Sequence, residues 1–150
     1  MAIKIRKATI SDLPVIVDFM LKMAKETEDI ILSSAILSPG IESGLKNSNK
    51  AEYFIAEIDG KIAGSLMITK EWSDWRNAWV LWIQSVYTVK KYRRMGVYKA
   101  LYNFIEKKVE KSQEYCGIRL YVDSTNRTAI KVYNKLGMNG NHYKLFERMY

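Results

Sequence analysis

The chain has almost nothing with which to hold a metal ion or close a disulfide. Its 150 residues include one cysteine, Cys116, and one histidine, His142. A lone cysteine has no partner within the chain and excludes a Cys-rich zinc site, and a lone histidine excludes a His-based metal centre. No metal is expected, and a reducing cytoplasm is the expected compartment. Apolar runs are equally scarce: none approaches the roughly 18 residues of a membrane span. The opening "MAIKIRKATISDLP" alternates apolar and polar residues, so neither a membrane anchor nor a secretory leader is expected. Repeats, low-complexity stretches and linkers are missing too, and the length suits a single domain, 1–150, around one core.

What is present is an ordinary globular balance, with 48% apolar and 27% charged residues, and a displaced charge. Residues 1–89 carry 10 Lys/Arg against 11 Asp/Glu, whereas residues 90–150 carry 14 against 5. The net charge of +8 therefore arises entirely in the second part. A basic half implies an anionic partner, either nucleic acid or a small molecule bearing several phosphates, or else a solvated face that aids solubility.

The pattern along the chain reads as alternating strands and helices. "AIKIRKA" is a strand by its period of two, and "SDLPVIVDFMLKMAKE" a helix, with Ser11 as N-cap and Pro14 in its first turn. "SPGIESGLKN" predicts a short second helix capped by Ser38, with Pro39 at its first position. Two strands joined by Asp59-Gly60 form a hairpin in "AEYFIAEIDGKIAGSLMITK". "EWSDWRN" reads as a polar, aromatic loop, and "AWVLWIQSVYTV" as a long fourth strand. An amphipathic helix follows from Gly96 to about Lys111, then the strand "GIRLYVD", a helix in "NRTAIKVYNKLG" stopped by Gly137, and a closing strand in "NHYKLFERMY". The fold class is mixed α/β. A β-α-β unit on one side implies a parallel pair with right-handed crossover.

The basic half begins at "YTVKKYRRMGVYKAL", where a strand passes through Lys90, Lys91, Arg93 and Arg94 into a helix. A helix N-terminus carries unpaired N–H groups and partial positive charge, and Gly96 lets backbone approach an anion closely. By itself this is anion binding or an ordinary turn with solvated basic residues.

"RRMGVY", from Arg93 to Tyr98, is similar to the (Gln/Arg)-x-x-Gly-x-(Gly/Ala) signature of the GNAT superfamily of N-acetyltransferases. Tyr98 stands where that pattern has a small residue, and with Tyr102 on the same helix flank it reads as a packing aromatic. "NRTAIKVYNKLGM" resembles the second signature, Asn-x-x-Ala-x-x-x-Tyr-x-x-x-Gly-(Phe/Met), through Asn126, Ala129, Tyr133, Gly137 and Met138. The β/α order matches that superfamily over nearly the whole chain, and the stretch "EWSDWRNAWVLWIQSVYTVKKYRRMGVYKALY" resembles a small, single-domain prokaryotic branch of it. The resemblance implies a central, mostly antiparallel mixed sheet with a splayed parallel pair and helices on both faces.

It implies further that acetyl-CoA is the co-substrate, that backbone amides of Arg94, Met95, Gly96, Val97 and Tyr98 bind its pyrophosphate, and that Arg93 is a further cofactor-binding residue. Val86, Tyr87 and Thr88 would meet the pantetheine arm, and Asn126 would contact the cofactor while capping its helix. Tyr133 would be the general acid; a phenol of pKa near 10 suits a departing thiolate of roughly 8.5–10. Relatives often place a Glu base on the fourth strand, where this chain has Gln84. Glu71, Asp74 and Glu28 are the acidic candidates, and relayed water is the alternative. Trp72 and Trp75, beside those acids, suit an amine by cation–π contact. Glu28, Trp72, Trp75 and Gln84 are thus the expected acceptor residues. The acceptor is a small-molecule or peptide amine, with no nucleic acid or membrane partner expected and a homodimer plausible from open strand edges. A catalytically silent CoA-binding sensor and, less well supported, a nucleic-acid-binding module are the competing readings.

Overall fold

The computed structural model describes all residues from Met1 to Tyr150. The chain divides into two compact units, Met1–Arg119 and Leu120–Tyr150. The first contains a five-stranded sheet in the order β1-β2-β3-β4-β5: Ile3–Lys7, Glu52–Ile58, Lys61–Ser73, Ala78–Thr88 and Tyr115–Arg119. The first four strands pair antiparallel with their neighbours, and β5 joins β4 in parallel. The Asp59-Gly60 hairpin is as expected, since both residues have positive φ, 50° and 74°, as a tight primed turn requires.

Helices cover both faces of this sheet. On one, α1 (Leu13–Glu28) and α2 (Ser34–Lys46) bring Ile16, Phe19, Met20 and Ile41 against Tyr53 and Ile55 of β2. On the other lies α3 (Val97–Glu110), and Phe104 meets Phe54, the residue between those two, at 5.2 Å between ring centroids. Adjacent strand residues face opposite ways, so β2 serves both layers. Val97, Leu101 and Ile105, each four apart on α3, are fully buried.

The start of α1 differs from expectation. Ser11 does not cap it; a 3-10 turn, Ile10–Asp12, leads directly into α1, and that turn carries a capping box in which the Asp12 carboxylate accepts from Thr9 N at 2.8 Å. Asp12 is buried and takes both ends of the Arg6 guanidinium at 2.8 and 2.9 Å, while Arg6 Nε donates to Glu57 at 2.6 Å. That fork fastens β1, β2 and the helix start together.

The second helix also corrects the expectation. It starts at Ser34 after Ser33, and Pro39 lies inside it. Proline removes the bond to the carbonyl four residues earlier, yet the turn is already nucleated by Ile36 and Leu37 N–H donating to Ser33 O. β3 likewise runs three residues beyond the expected end, drawing Glu71, Trp72 and Ser73 out of the loop, because Trp72 stacks edge-on against Trp79 at 5.0 Å.

The second unit holds one helix, α4 (Arg127–Lys135). The closing strand expected over 141–150 is absent: these residues form no regular element, and Leu145, Phe146 and Met149 are exposed. Alternating side chains make a strand only when a ladder supplies backbone partners. No helix is long and apolar enough to cross a membrane.

Candidate active site

β4 is the strand on which the site is built. β5 accompanies it only from Trp79 to Trp82, ending at the Trp82–Arg119 pair, so Ile83–Thr88 lie beyond the parallel ladder. Within that stretch the β3 register shifts: Ser65 faces Tyr87 and Met67 faces Gln84, so Ser85 and Val86 oppose Leu66 alone. Ser85 has φ of 52°, the left-handed region, as the extra residue of a bulge. A bulge bends its strand and takes backbone groups out of the ladder. Here it frees the segment between Gln84 and Tyr87 for another partner.

The bend is held from behind by Gly64. A Cβ there would come within 2.6 Å of Tyr87 O and 3.0 Å of Val97 Cγ1. Only glycine lets β3, the end of β4 and the first turn of α3 meet at this point.

The turn from β4 into α3 has positive φ at Arg94 (65°) and Gly96 (83°). Gly96 is the N-cap and offers no side chain; the first helical bond runs from Ala100 N to Gly96 O at 2.9 Å. The backbone N–H groups of Gly96 and Val97 therefore have no intrahelical acceptor. A Cβ on Gly96 would meet nothing within 4 Å, so the space over the turn is open to an approaching group. Such a cradle of amides at a helix start suits phosphate oxygens.

The Arg93 side chain makes ties that its sequence position does not announce. Its Nε donates to Thr88 O at 3.0 Å and its Nη2 to Glu26 of α1 at 2.7 Å, with the guanidinium 5.6 Å from the Tyr87 ring centroid. Lys90 adds a 3.6 Å ion pair to Glu26. The Arg93 hydrogen bond holds the Glu26 carboxyl below its ordinary pKa. Arg93 thus ties the turn to α1, which sequence reading missed because the two partners lie 67 residues apart.

In the second unit, the spacing of the motif from Asn126 to Met138 is that of one capped helix. Asn126 Oδ1 accepts from Ala129 N at 3.1 Å. At the other end Met138 N donates to Tyr133 O at 3.1 Å and Gly137 N to Asn134 O at 3.0 Å, with Gly137 at φ 83°. Those two bonds close a left-handed helix end around the glycine. The capping part of the Asn126 expectation is met.

Beside the bulge, on the face carrying α1 and α2, lies a cavity of about 350 Å³. Met20, Met23, Leu37, Ile41, Tyr53 and Met67 form most of its wall, and Ser85 of the bulge belongs to it. Burial holds the Tyr53 hydroxyl above its ordinary pKa, so it stays protonated.

Four of the acidic and aromatic candidates, Glu71, Trp72, Asp74 and Trp75, stand away from the bulge. Glu71 is paired across the sheet with Arg119, and its β4 neighbour is Val80. At about 3.3 Å per residue, Val80 stands roughly 16 Å along the strand from Ser85. Asp74 and Trp75 are farther still, in the turn after β3, where Trp75 is 90% exposed and Asp74 Oδ1 accepts from Trp75 N. Trp72 belongs to the Trp79 stack. Glu28 is the exposed last residue of α1. Gln84 is at the bulge, its Nε2 donating to Thr69 at 2.6 Å.

Comparison with known proteins agrees with this fold. A possible acetyltransferase from Clostridium difficile 630 is 38% identical, with a TM-score of 0.92 over 100% of this chain and 99% of that one. An N-alpha-acetyltransferase of Sulfurisphaera tokodaii is 31% identical over 94 residues, 59% of this chain and 56% of that protein, so this match spans just over half of the curated relative. A ribosomal-protein-alanine N-acetyltransferase from Brucella melitensis shares the fold at 16% identity and a TM-score of 0.79, covering 99% of each chain. The model of the Acetyltransferase (GNAT) family matches residues 21–138. With that match over most of its length, the chain belongs to the acetyltransferase (GNAT) family.

Proposed function

We propose that the protein transfers the acetyl group of acetyl-CoA to a primary amine by direct attack within a ternary complex. The observation that carries this reading is the run of β4 past the end of its β5 ladder, through a bulge, into the glycine-capped start of α3. One end of that run offers amides to a pyrophosphate, through Arg94, Met95, Gly96, Val97 and Tyr98. The middle offers Val86, Tyr87 and Thr88 to an extended pantetheine arm and the acetyl carbonyl. Thr88 O is already engaged by Arg93, so its N–H is the group left to serve.

The chemistry balances simply. The neutral amine nitrogen attacks the thioester carbonyl carbon, a C–N bond forms, the C–S bond breaks, and the proton lost from nitrogen equals the one the thiolate gains. Donors fixed at the bulge stabilise the developing oxyanion. Tyr133 is the proposed acid for the thiolate, and Asn126 a cofactor contact. Glu71 and Asp74 lie at the far end of β4, so a water relay at the bulge, near Gln84 and Ser85, fits proton removal better than either carboxylate. No metal enters this scheme.

Isothermal titration of acetyl-CoA into the protein and a Gly96→Trp variant tests the reading. Micromolar binding by the parent and its loss in the variant are expected. Absence of binding at physiological salt would overturn the proposal, and oligonucleotides would then be the ligands to try against the basic half.

A further inference from the structure

The cavity beside Ser85 has no acidic or basic residue in its wall. It is lined by methionine, leucine, isoleucine, glycine and tyrosine, with Ser85 itself. A second ammonium group placed there would lose part of its hydration and find no counter-ion on the wall. The apolar character continues outside: Ile36, on the wall, is 77% exposed, and Ile31, next to Leu32 of the wall, is 86% exposed. These two exposed isoleucines extend the apolar character of the wall toward solvent. The thioether side chains of Met20, Met23 and Met67 adapt to straight or branched chains alike. The volume of about 350 Å³ is at the small end of ligand pockets and is enough for one side chain and its backbone.

From these features we infer that the acceptor is a monoamine whose amine-bearing carbon carries an aliphatic or thioether side chain, and that this side chain fills the cavity between α1, α2 and the β4 bulge. This rests on the acetyl-transfer reading. Ser85 joins the cavity to the strand proposed for the acetyl group, so an acceptor seated by its side chain has its nitrogen at the bulge. Free amine and peptide N-terminus share this chemistry. The acidic hairpin end, Glu71 to Asp74, then has no part in acceptor choice, and polycationic amines are poor substrates.

The test compares norleucine amide with lysine amide, which differ by a terminal ammonium, following CoA thiol release at saturating acetyl-CoA; acetyl-CoA binding is measured separately by titration. A kcat/KM at least tenfold higher for norleucine amide is expected. Leu32→Asp, in the irregular segment before α2, puts a carboxylate on the wall. It should narrow or reverse that ratio at least tenfold and change acetyl-CoA affinity less than twofold. Gly40→Phe adds bulk where a Cβ meets only open space, and should raise KM for norleucine amide alone. A norleucine-initiated tetrapeptide separates the two sources: a higher kcat/KM than the amide assigns peptide N-termini, a lower one free amines. Acetyl-CoA binding with equal or better use of lysine amide, with no use of either amine, or with a ratio unmoved by Leu32→Asp would overturn the inference and leave cofactor binding standing. Failure to bind acetyl-CoA would overturn the underlying reading instead.

Discussion

Three residues shape the candidate site, and each does so through its backbone. Ser85 and Arg94 hold left-handed conformations that cost a non-glycine residue of order 1 kcal/mol each, so the surrounding packing must enforce them. Gly96 holds one at no steric cost and leaves the space above it open. None of the three needs a particular side-chain chemistry, which is why Gly96 alone could be read from sequence. Tyr133 is the reverse case, a residue singled out for its hydroxyl. If it protonates the thiolate, Tyr133→Phe should lower kcat about a hundredfold while acetyl-CoA affinity stays within twofold. Titration and steady-state kinetics on the same preparation separate the two effects, and an unchanged kcat would remove Tyr133 from the chemistry.

Elements show where local information suffices. α4 was legible from end to end because its signals are its own caps: Asn126 at one end, Gly137 at the other, both bonding within a few residues. The hairpin at Asp59-Gly60 was legible for the same reason. α2 was misread because Pro39 looks like a first-turn residue, whereas Ser33 had already started the helix. The β4 bulge was invisible, since nothing in "WIQSVYT" marks an extra residue until β3 is laid beside it. Gly64 is the element-scale control on that bend. Gly64→Ala would drive a methyl against Tyr87 O and Val97, two groups that cannot swing away. A loss of about 1–3 kcal/mol is expected from such overpacking, measurable by urea denaturation. Acetyl-CoA affinity should fall with it.

For the molecule as a whole, stability rests on ties between segments distant in sequence. Arg6 joins Asp12 and Glu57, and Arg93 joins Glu26 and Thr88. The Arg6 fork holds the Asp12 carboxyl below its ordinary range, as Arg93 does for Glu26. A depressed carboxyl contributes stability that is fully present above its unfolded pKa and lost as pH falls through its folded one. The melting temperature should therefore hold from neutrality to about pH 5 and decline steadily below about pH 4. Arg6→Met leaves Asp12 buried without its partner, and should cost about 2–3 kcal/mol at pH 7. Its acid slope below pH 5 should be shallower than that of the parent, because the Asp12 contribution is gone. Melting curves across pH 3–7 for both proteins check this, and parallel slopes would contradict the assignment.

The sequence by itself determined what short-range chemistry can write. Alternation and helical periodicity defined most elements, glycine and asparagine marked turns and caps, two spaced motifs carried the family, and the basic turn carried the expectation of an anion. These signals act within about one helical turn or one hairpin, where the chain closes its own hydrogen bonds. Tertiary structure alone decided the rest. It assigned Arg93 to Glu26 rather than to open solvent, drew Trp72 into β3 through Trp79, and left 141–150 without a strand. It also assembled an uncharged cavity from two helices, a connecting segment and three strands, while the acidic residues that had pointed to a cationic acceptor went to the other end of β4. The physical reason is common to these cases: register, bulges and cavity walls depend on which segments meet, and that is a property of packing rather than of any one segment.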